Sequence, residues 1–142
     1  MTAPAELHHV GIVVPDLEAA MAEMSRLLGL QWTAPQTRPD GEHVLLVAFS
    51  TSVPRIELIQ GNPGGVWSTE GGPRIDHIAF WIKDFEATSA AAEAIGVARE
   101  AGGTASWGGR WAYVRGPDTG TRIELCDERG RPIFERTWGF SI

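Results

Sequence analysis

The sequence predicts an α+β fold built from two tandem βαβββ modules, their strands forming a curved mixed sheet around a central metal trough. The first observation behind this is an internal repeat. His9-Val10-Gly11-Ile12-Val13-Val14-Pro15-Asp16-Leu17-Glu18-Ala19 overlays His77-Ile78-Ala79-Phe80-Trp81-Ile82-Lys83-Asp84-Phe85-Glu86-Ala87, with histidine, apolar run, Asp, Glu and Ala coinciding at a spacing of 68 residues. The second is a further match, Arg55-Ile56-Glu57-Leu58 against Arg122-Ile123-Glu124-Leu125, at a spacing of 67. Two separate matches at nearly one offset mark a duplication. The third is strand alternation, which puts the repeated His and Glu on one face and their apolar neighbours on the other.

The elements follow in order. His9 to Val14 is a short β-branched run and reads as a strand. Pro15-Asp16 ends it, and Asp16 is a helix N-cap. Leu17, Ala20, Met21, Met24, Leu27 and Leu28 recur at helical spacing, and Gly29 supplies the C-cap. Val44–Phe49 and Pro54–Ile59 read as strands. The glycine- and proline-rich stretch from Gly61 to Pro73 punctuates the junction. The second half repeats the order: strand Ile75–Ile82, helix Phe85–Ile95 ended by Gly96, then strands near Trp111–Arg115 and Thr121–Cys126. A short extra strand is expected near Gln31–Thr33 or Arg99–Glu100. The modules run over about residues 7–62 and 75–127 of a single domain spanning 1–142, leaving a C-terminal tail, 128–142.

Composition sets the outer bounds. The chain has 142 residues, 43% of them hydrophobic and 21% charged, ordinary usage for one globular domain. A net charge of −6 argues against a general nucleic-acid binder, which shows a basic face. Cys126 is the only cysteine, so neither an internal disulfide nor a cysteine zinc site is available. The first residues lack the pattern of a signal peptide, and no apolar run approaches the length of a membrane helix. A cytoplasmic protein without membrane partners is therefore expected.

The alternation aims the repeated polar residues. Val10, Ile12 and Val14 face the helix of their module, as do Ile56 and Leu58; His9 and Glu57 face away. In the second copy Ile78, Phe80, Ile82, Ile123 and Leu125 face the helix, while His77, Trp81 and Glu124 face away. If the modules pair by a pseudo-twofold relation, both His and both Glu converge. His9, Glu57, His77 and Glu124 then make a mixed N/O set for one divalent metal, Zn, Ni, Co, Mn or Fe. Two remaining positions on an octahedral ion suit a substrate with two adjacent oxygens, and the ion would act as a Lewis acid on a developing enolate. A lone strand-start histidine is more often a hydrogen-bonded core or surface residue, and the bland alternative is that both pairs are relics of duplication held by water and arginine. The matched set and the cost of burying a carboxylate unpaired favour the metal.

LHHVGIVVPDLEAA, IDHIAFWIKD, RIELIQ and GPDTGTRIELCD resemble the vicinal oxygen chelate superfamily over about residues 7–127. That superfamily includes glyoxalase I, methylmalonyl-CoA epimerase, extradiol dioxygenases, and fosfomycin and bleomycin resistance proteins. The resemblance implies paired βαβββ modules with metal ligands on the first and last strands of each, at His9, Glu57, His77 and Glu124. The His-Glu-His-Glu set looks most like bacterial glyoxalase I. RIELIQ looks more like the epimerases, where the ligand at Glu57 is often Gln. Met21-Ala22-Glu23-Met24 stands where glyoxalases commonly carry an aromatic pair, which speaks against a glutathione adduct as substrate.

Other residues bear on the substrate. Trp81 lies on the metal-facing side. Trp107-Gly108-Gly109-Arg110-Trp111 reads as a glycine-flexible lid over an aromatic or extended apolar ligand; packing or dimer contacts are the alternative, and the favoured one for Trp32 and Trp138. Arg55 and Arg122 precede the ligand glutamates by two residues and would steady a carboxylate or phosphate, unless they are simply solvated. Cys126 reads as packing, His8 and His43 as surface. Trp138 and Phe140, apolar and unplaced, point to a homodimer. The expected activity is metal-dependent proton transfer α to a carbonyl, by an epimerase, isomerase or glyoxalase-like lyase, with Glu124 or Glu57 as base and Glu42 as an outside candidate. The expected substrate is a small molecule, aromatic or an acyl thioester. The alternatives are a binding or resistance protein for an aromatic compound and an Fe(II) ring-cleaving dioxygenase.

Overall fold

The computed structural model describes residues 3–105 and 109–140, and its elements run in the order β-α-β-β-β twice, followed by a helix. The strands are β1 (Glu6–Val13), β2 (Gln36–Asp40), β3 (His43–Phe49), β4 (Arg55–Gln60), β5 (Arg74–Ile82), β6 (Ala98–Thr104), β7 (Arg110–Arg115) and β8 (Arg122–Asp127). The helices are α1 (Leu17–Leu28), α2 (Phe85–Ala94) and α3 (Arg131–Trp138). The chain forms two compact units. The first is built on His9–Asp76 and takes in Trp138–Phe140; the second is built on His77–Thr137 and takes in the start of β1 through His8. Among the described residues no helix is long and apolar enough to cross a membrane.

In the first unit the strand order is β2-β3-β4-β1. β1 and β4 are parallel, with Gly11 opposite Glu57; β4 and β3 are antiparallel, with Phe49 opposite Glu57. Asp16 caps α1 by accepting the Ala19 N–H at 3.0 Å, a contribution of about 1 kcal/mol. Gly29 ends the helix at φ +69°, donating its N–H to Ser25 O at 2.9 Å. Leu17, Val14, Ala48 and Leu58 form the core under α1, with Ile12, Met21, Met24, Leu46 and Ile56 around them. Leu17 is 0% exposed, and burying such a side chain contributes about 1.5–3 kcal/mol. Trp32 joins this core and donates its indole N–H to Met21 O. Leu27 and Leu28 depart from the expected apolar stripe and are exposed; the core under α1 takes Leu17, Ala20, Met21 and Met24 but neither of these two.

The extra strand begins at Gln36, three residues beyond the end of the expected Gln31–Thr33. Trp32 makes only an isolated bridge to Ser50. β2 starts at Gln36 because the Asp40-Gly41-Glu42-His43 turn fixes its register on β3, Asp40 opposite His43. Gly41 sits there at φ +60°, the conformation a two-residue hairpin needs at its first loop position.

The second unit has the order β5-β8-β7-β6. β5 and β8 are parallel, with Ala79 opposite Glu124; β7 and β8 are antiparallel, with Tyr113 opposite Glu124. Asp84 caps α2 as Asp16 caps α1, accepting the Ala87 N–H at 3.0 Å. Ile82, Phe85, Ala112, Val114 and Leu125 form the core, joined by Phe80, Val97 and Ile123. The expected Arg99–Glu100 strand is present as the longer β6, which carries a bulge between Arg99 and Ala101. α2 stops at Ala94, one residue short of the expected end.

The tail was not expected to be helical. α3 is short, contains Pro132 and follows a 3-10 turn at Glu128–Gly130. Asp127, 3% exposed, anchors that turn by accepting the Arg129 N–H at 3.1 Å and the Arg129 guanidinium at 2.6 Å. These bonds hold the Asp127 carboxyl below the usual carboxylate range. A carboxyl with a depressed folded-state pKa stabilises the fold above its unfolded value and loses that contribution as pH falls through the folded one. Asp127→Asn is therefore expected to melt below wild type at pH 7, with the gap closing as the pH is lowered past the ordinary carboxyl range, read from melting curves of both proteins. Within the first unit Trp138 packs edge-on against Phe49, ring centroids 4.8 Å apart, and Arg55 lies 3.5 Å over the Phe140 ring. The apolar tail on which a homodimer was expected is thus taken up inside the chain.

Candidate functional site

Each unit carries the same polar pair. His9 Nε2 lies 3.3 Å from Glu57 Oε1 in the first, and His77 Nε2 lies 3.3 Å from Glu124 Oε2 in the second. Both imidazoles are buried, with side-chain exposures of 3% and 0%, while the carboxylates keep 14% and 15%. The rings are enclosed by packing, and the carboxylates are the more exposed members of each pair. In both units the pair lies on the sheet face away from the helix, because Ile12, Ile56 and Leu58, and likewise Ile123 and Leu125, are committed to the helix-side cores.

A third residue repeats with them. The His9 ring meets Phe49 edge-on at 5.3 Å, and the His77 ring meets Tyr113 edge-on at 5.2 Å. Phe49 and Tyr113 stand directly opposite Glu57 and Glu124 on the antiparallel neighbour strands, and cross-strand partners share a face. Sequence reasoning missed both, since hairpins of unequal length break their spacing. The signal was the register of each hairpin on its ligand strand.

The donor chemistry fits a divalent ion. Ligand N and O atoms lie about 2.0–2.2 Å from such a metal, so two on one ion stand about 3–3.5 Å apart, and each pair has that separation. Nitrogen and carboxylate donors together suit first-row divalent ions.

The other expected site residues divide by face. Arg122 lies 4.0 Å over the Tyr113 ring, and Trp111 packs edge-on to Tyr113 at 5.9 Å, both on the Glu124 face. Arg55, opposite His9, donates to Ser50 O and Thr51 O. Arg110 is on the helix side instead: it pairs with Glu86 of α2 and lies 5.2 Å over Phe85. Trp81 is 6% exposed and stacked on His8, centroids 3.9 Å and planes 11° apart, with Phe134 edge-on to both. His8 is accordingly buried, at 7%, and not the surface residue expected; the return of α3 in this unit covers it. Trp107 and Gly108 of the expected lid lie outside the described residues. Cys126 is half-buried, Glu42 and His43 exposed.

Arg38 was not foreseen. It stands opposite Leu45, hence on the Glu57 face. Burial lowers its pKa, and the Glu57 carboxylate works in the other direction.

A βαβββ unit built twice, each copy presenting a buried histidine beside a glutamate, defines a duplicated α+β class of fold. Residues 8–114 match the glyoxalase/bleomycin resistance protein/dioxygenase superfamily, and the chain belongs to it. An ethylmalonyl-CoA/methylmalonyl-CoA epimerase from Cereibacter sphaeroides is 40% identical over 84 residues, 55% of this chain and 61% of that relative. The match thus spans less than two thirds of the relative's length. Among solved structures, methylmalonyl-CoA epimerase from Mycobacterium tuberculosis superposes with a TM-score of 0.69 at 24% identity, covering 89% of this chain and 92% of that one. A hypothetical protein from Bacillus halodurans gives 0.72 at 20% identity, covering 88% and 95%. At such identities these structures establish a shared fold.

Proposed function

We propose that this protein is a divalent-metal-dependent epimerase that moves the proton on the carbon α to the carbonyl of an acyl thioester, of the methylmalonyl-CoA type. The observation that carries the reading is the repeated His–Glu pair: two buried imidazoles, each with a carboxylate oxygen at 3.3 Å, a donor set suited to a divalent ion. The curated relative supports the substrate class. His9, Glu57, His77 and Glu124 would together hold the ion. When bound, that ion supplies a Lewis acid that polarises the thioester carbonyl and acidifies the α-carbon. The chain's own residues do the rest. The buried histidines fix the two carboxylates, Glu124 takes the α-proton, a water on the opposite face gives one back and so inverts the centre, and the Glu124 carboxyl releases its proton to the hydroxide left behind. Trp111 and Arg122, on the Glu124 face, would line the substrate's path.

The test is deuterium exchange. Metal-loaded protein given one epimer of methylmalonyl-CoA in D₂O is expected to place deuterium at the α-carbon and to yield the other epimer, both suppressed by chelator. If neither occurs while the same preparation binds aromatic compounds without turnover, the binding-protein reading replaces this one.

A further inference from the structure

We infer that Arg38 is the residue that reads a free carboxylate on the acyl part of the substrate, restricting the site to acid-bearing thioesters. This rests on the acyl-thioester reading above. Arg38 comes from β2 of the first unit and shares the sheet face of Leu45, Val47, Phe49 and Glu57 through the β2–β3 and β3–β4 registers. One end of its guanidinium is tied down: Nη1 donates to Gln36 Oε1 at 3.3 Å and to Thr37 O at 3.1 Å. Its plane is set by Trp138, with the guanidinium carbon 4.8 Å from the indole centroid, and Trp138 is itself locked against Phe49.

Among the described residues Arg38 makes no ion pair, and its Nε and Nη2 carry no hydrogen bond. That edge is the fork that takes a carboxylate through two parallel N–H···O bonds. The arginines of the β-strands' ends are spent otherwise: Arg55 on Ser50 and Thr51 carbonyls, Arg110 on Glu86, Arg115 on Glu100. A half-buried cation with an open fork, held rigid on the face of a candidate metal ligand, lacks only an anion. The Glu57 charge acts on it from the same sheet face. The anion that completes the arrangement is planar and small, which a carboxylate satisfies; its partners are then Nε and Nη2 of Arg38, with Gln36 and Trp138 as the residues that position the guanidinium.

Calorimetric binding of malonyl-CoA and acetyl-CoA to the metal-loaded chain tests this without turnover, so a failure of the epimerase reading in D₂O leaves the result legible. Wild type is expected to prefer malonyl-CoA by about tenfold or more, the scale of a charge-assisted hydrogen-bond pair. Arg38→Gln should bind both equally. Arg38→Lys, which keeps the charge and loses the fork, should retain part of the preference, and it decides the matter if the glutamine variant does not fold. Absence of a preference in wild type overturns the inference. So does a preference left unchanged in either folded variant.

Discussion

His77→Ala is expected to strip the chain of stoichiometric divalent metal and to cut α-proton exchange by more than ~100-fold. Changing a residue that merely orients a ligand costs about 10–100-fold, and loss of the ligand itself should cost more. The His77 side chain is 0% exposed and lies between Glu124 and Tyr113, so its removal also opens a cavity. A drop in metal content therefore needs a control of equal burial. His8 provides one: it is 7% exposed, stacked between Trp81 and Phe134, and has no glutamate counterpart in the repeat. His8→Ala should lower the melting temperature and keep the metal. Elemental analysis of the three purified proteins, alongside circular dichroism, separates the outcomes. Equal metal in wild type and His77→Ala would remove His77 from the ligand set. Equal loss in both variants would show that metal content follows stability alone.

Where chain-local physics governs, the sequence was a reliable guide. The His and Glu of each module were legible because strand alternation has a strict period of two: committing Ile56 and Leu58 to the helix side turns Glu57 the other way, and Ile123 and Leu125 do the same for Glu124. Asp16 and Asp84 were legible as caps because a carboxylate before a helical run satisfies an N–H that has no other partner. What escaped depends on partners far along the chain. His8 reads as a polar strand end, yet Phe134 and Trp81 enclose it. Arg110 was grouped with Trp111 as a loop tip, but adjacent strand residues face opposite ways, and Glu86 holds Arg110 on the helix side. Arg38 was invisible because Pro39 and Asp40 disguise β2 as a loop; only the Asp40-Gly41 turn betrays the hairpin. α3 hides in a stretch broken by Pro132 and Gly130, and its burial comes from Trp138 meeting Phe49.

Replacing each ligand glutamate by glutamine should produce unequal losses. The substitution keeps shape and one oxygen donor and removes the basic carboxylate. At Glu57 an amide oxygen is expected to serve as donor in place of the carboxylate. Glu57 stands opposite Phe49 and its charge acts on the Arg38 cation, and it is assigned as a fixed ligand. Glu124 stands opposite Tyr113, whose ring Arg122 covers, and is the stronger candidate for proton transfer. Glu57→Gln should thus keep its metal and exchange the α-proton within about tenfold of wild type, whereas Glu124→Gln should lose about 10²–10⁴-fold, the contribution of a positioned general base. The measurements are metal content and deuterium incorporation from each epimer separately. If Glu57→Gln is the inactive protein and Glu124→Gln the active one, the two carboxylates exchange roles. If both variants keep metal and exchange at the wild-type rate, neither glutamate is the base, and the proton must pass through another group on these faces.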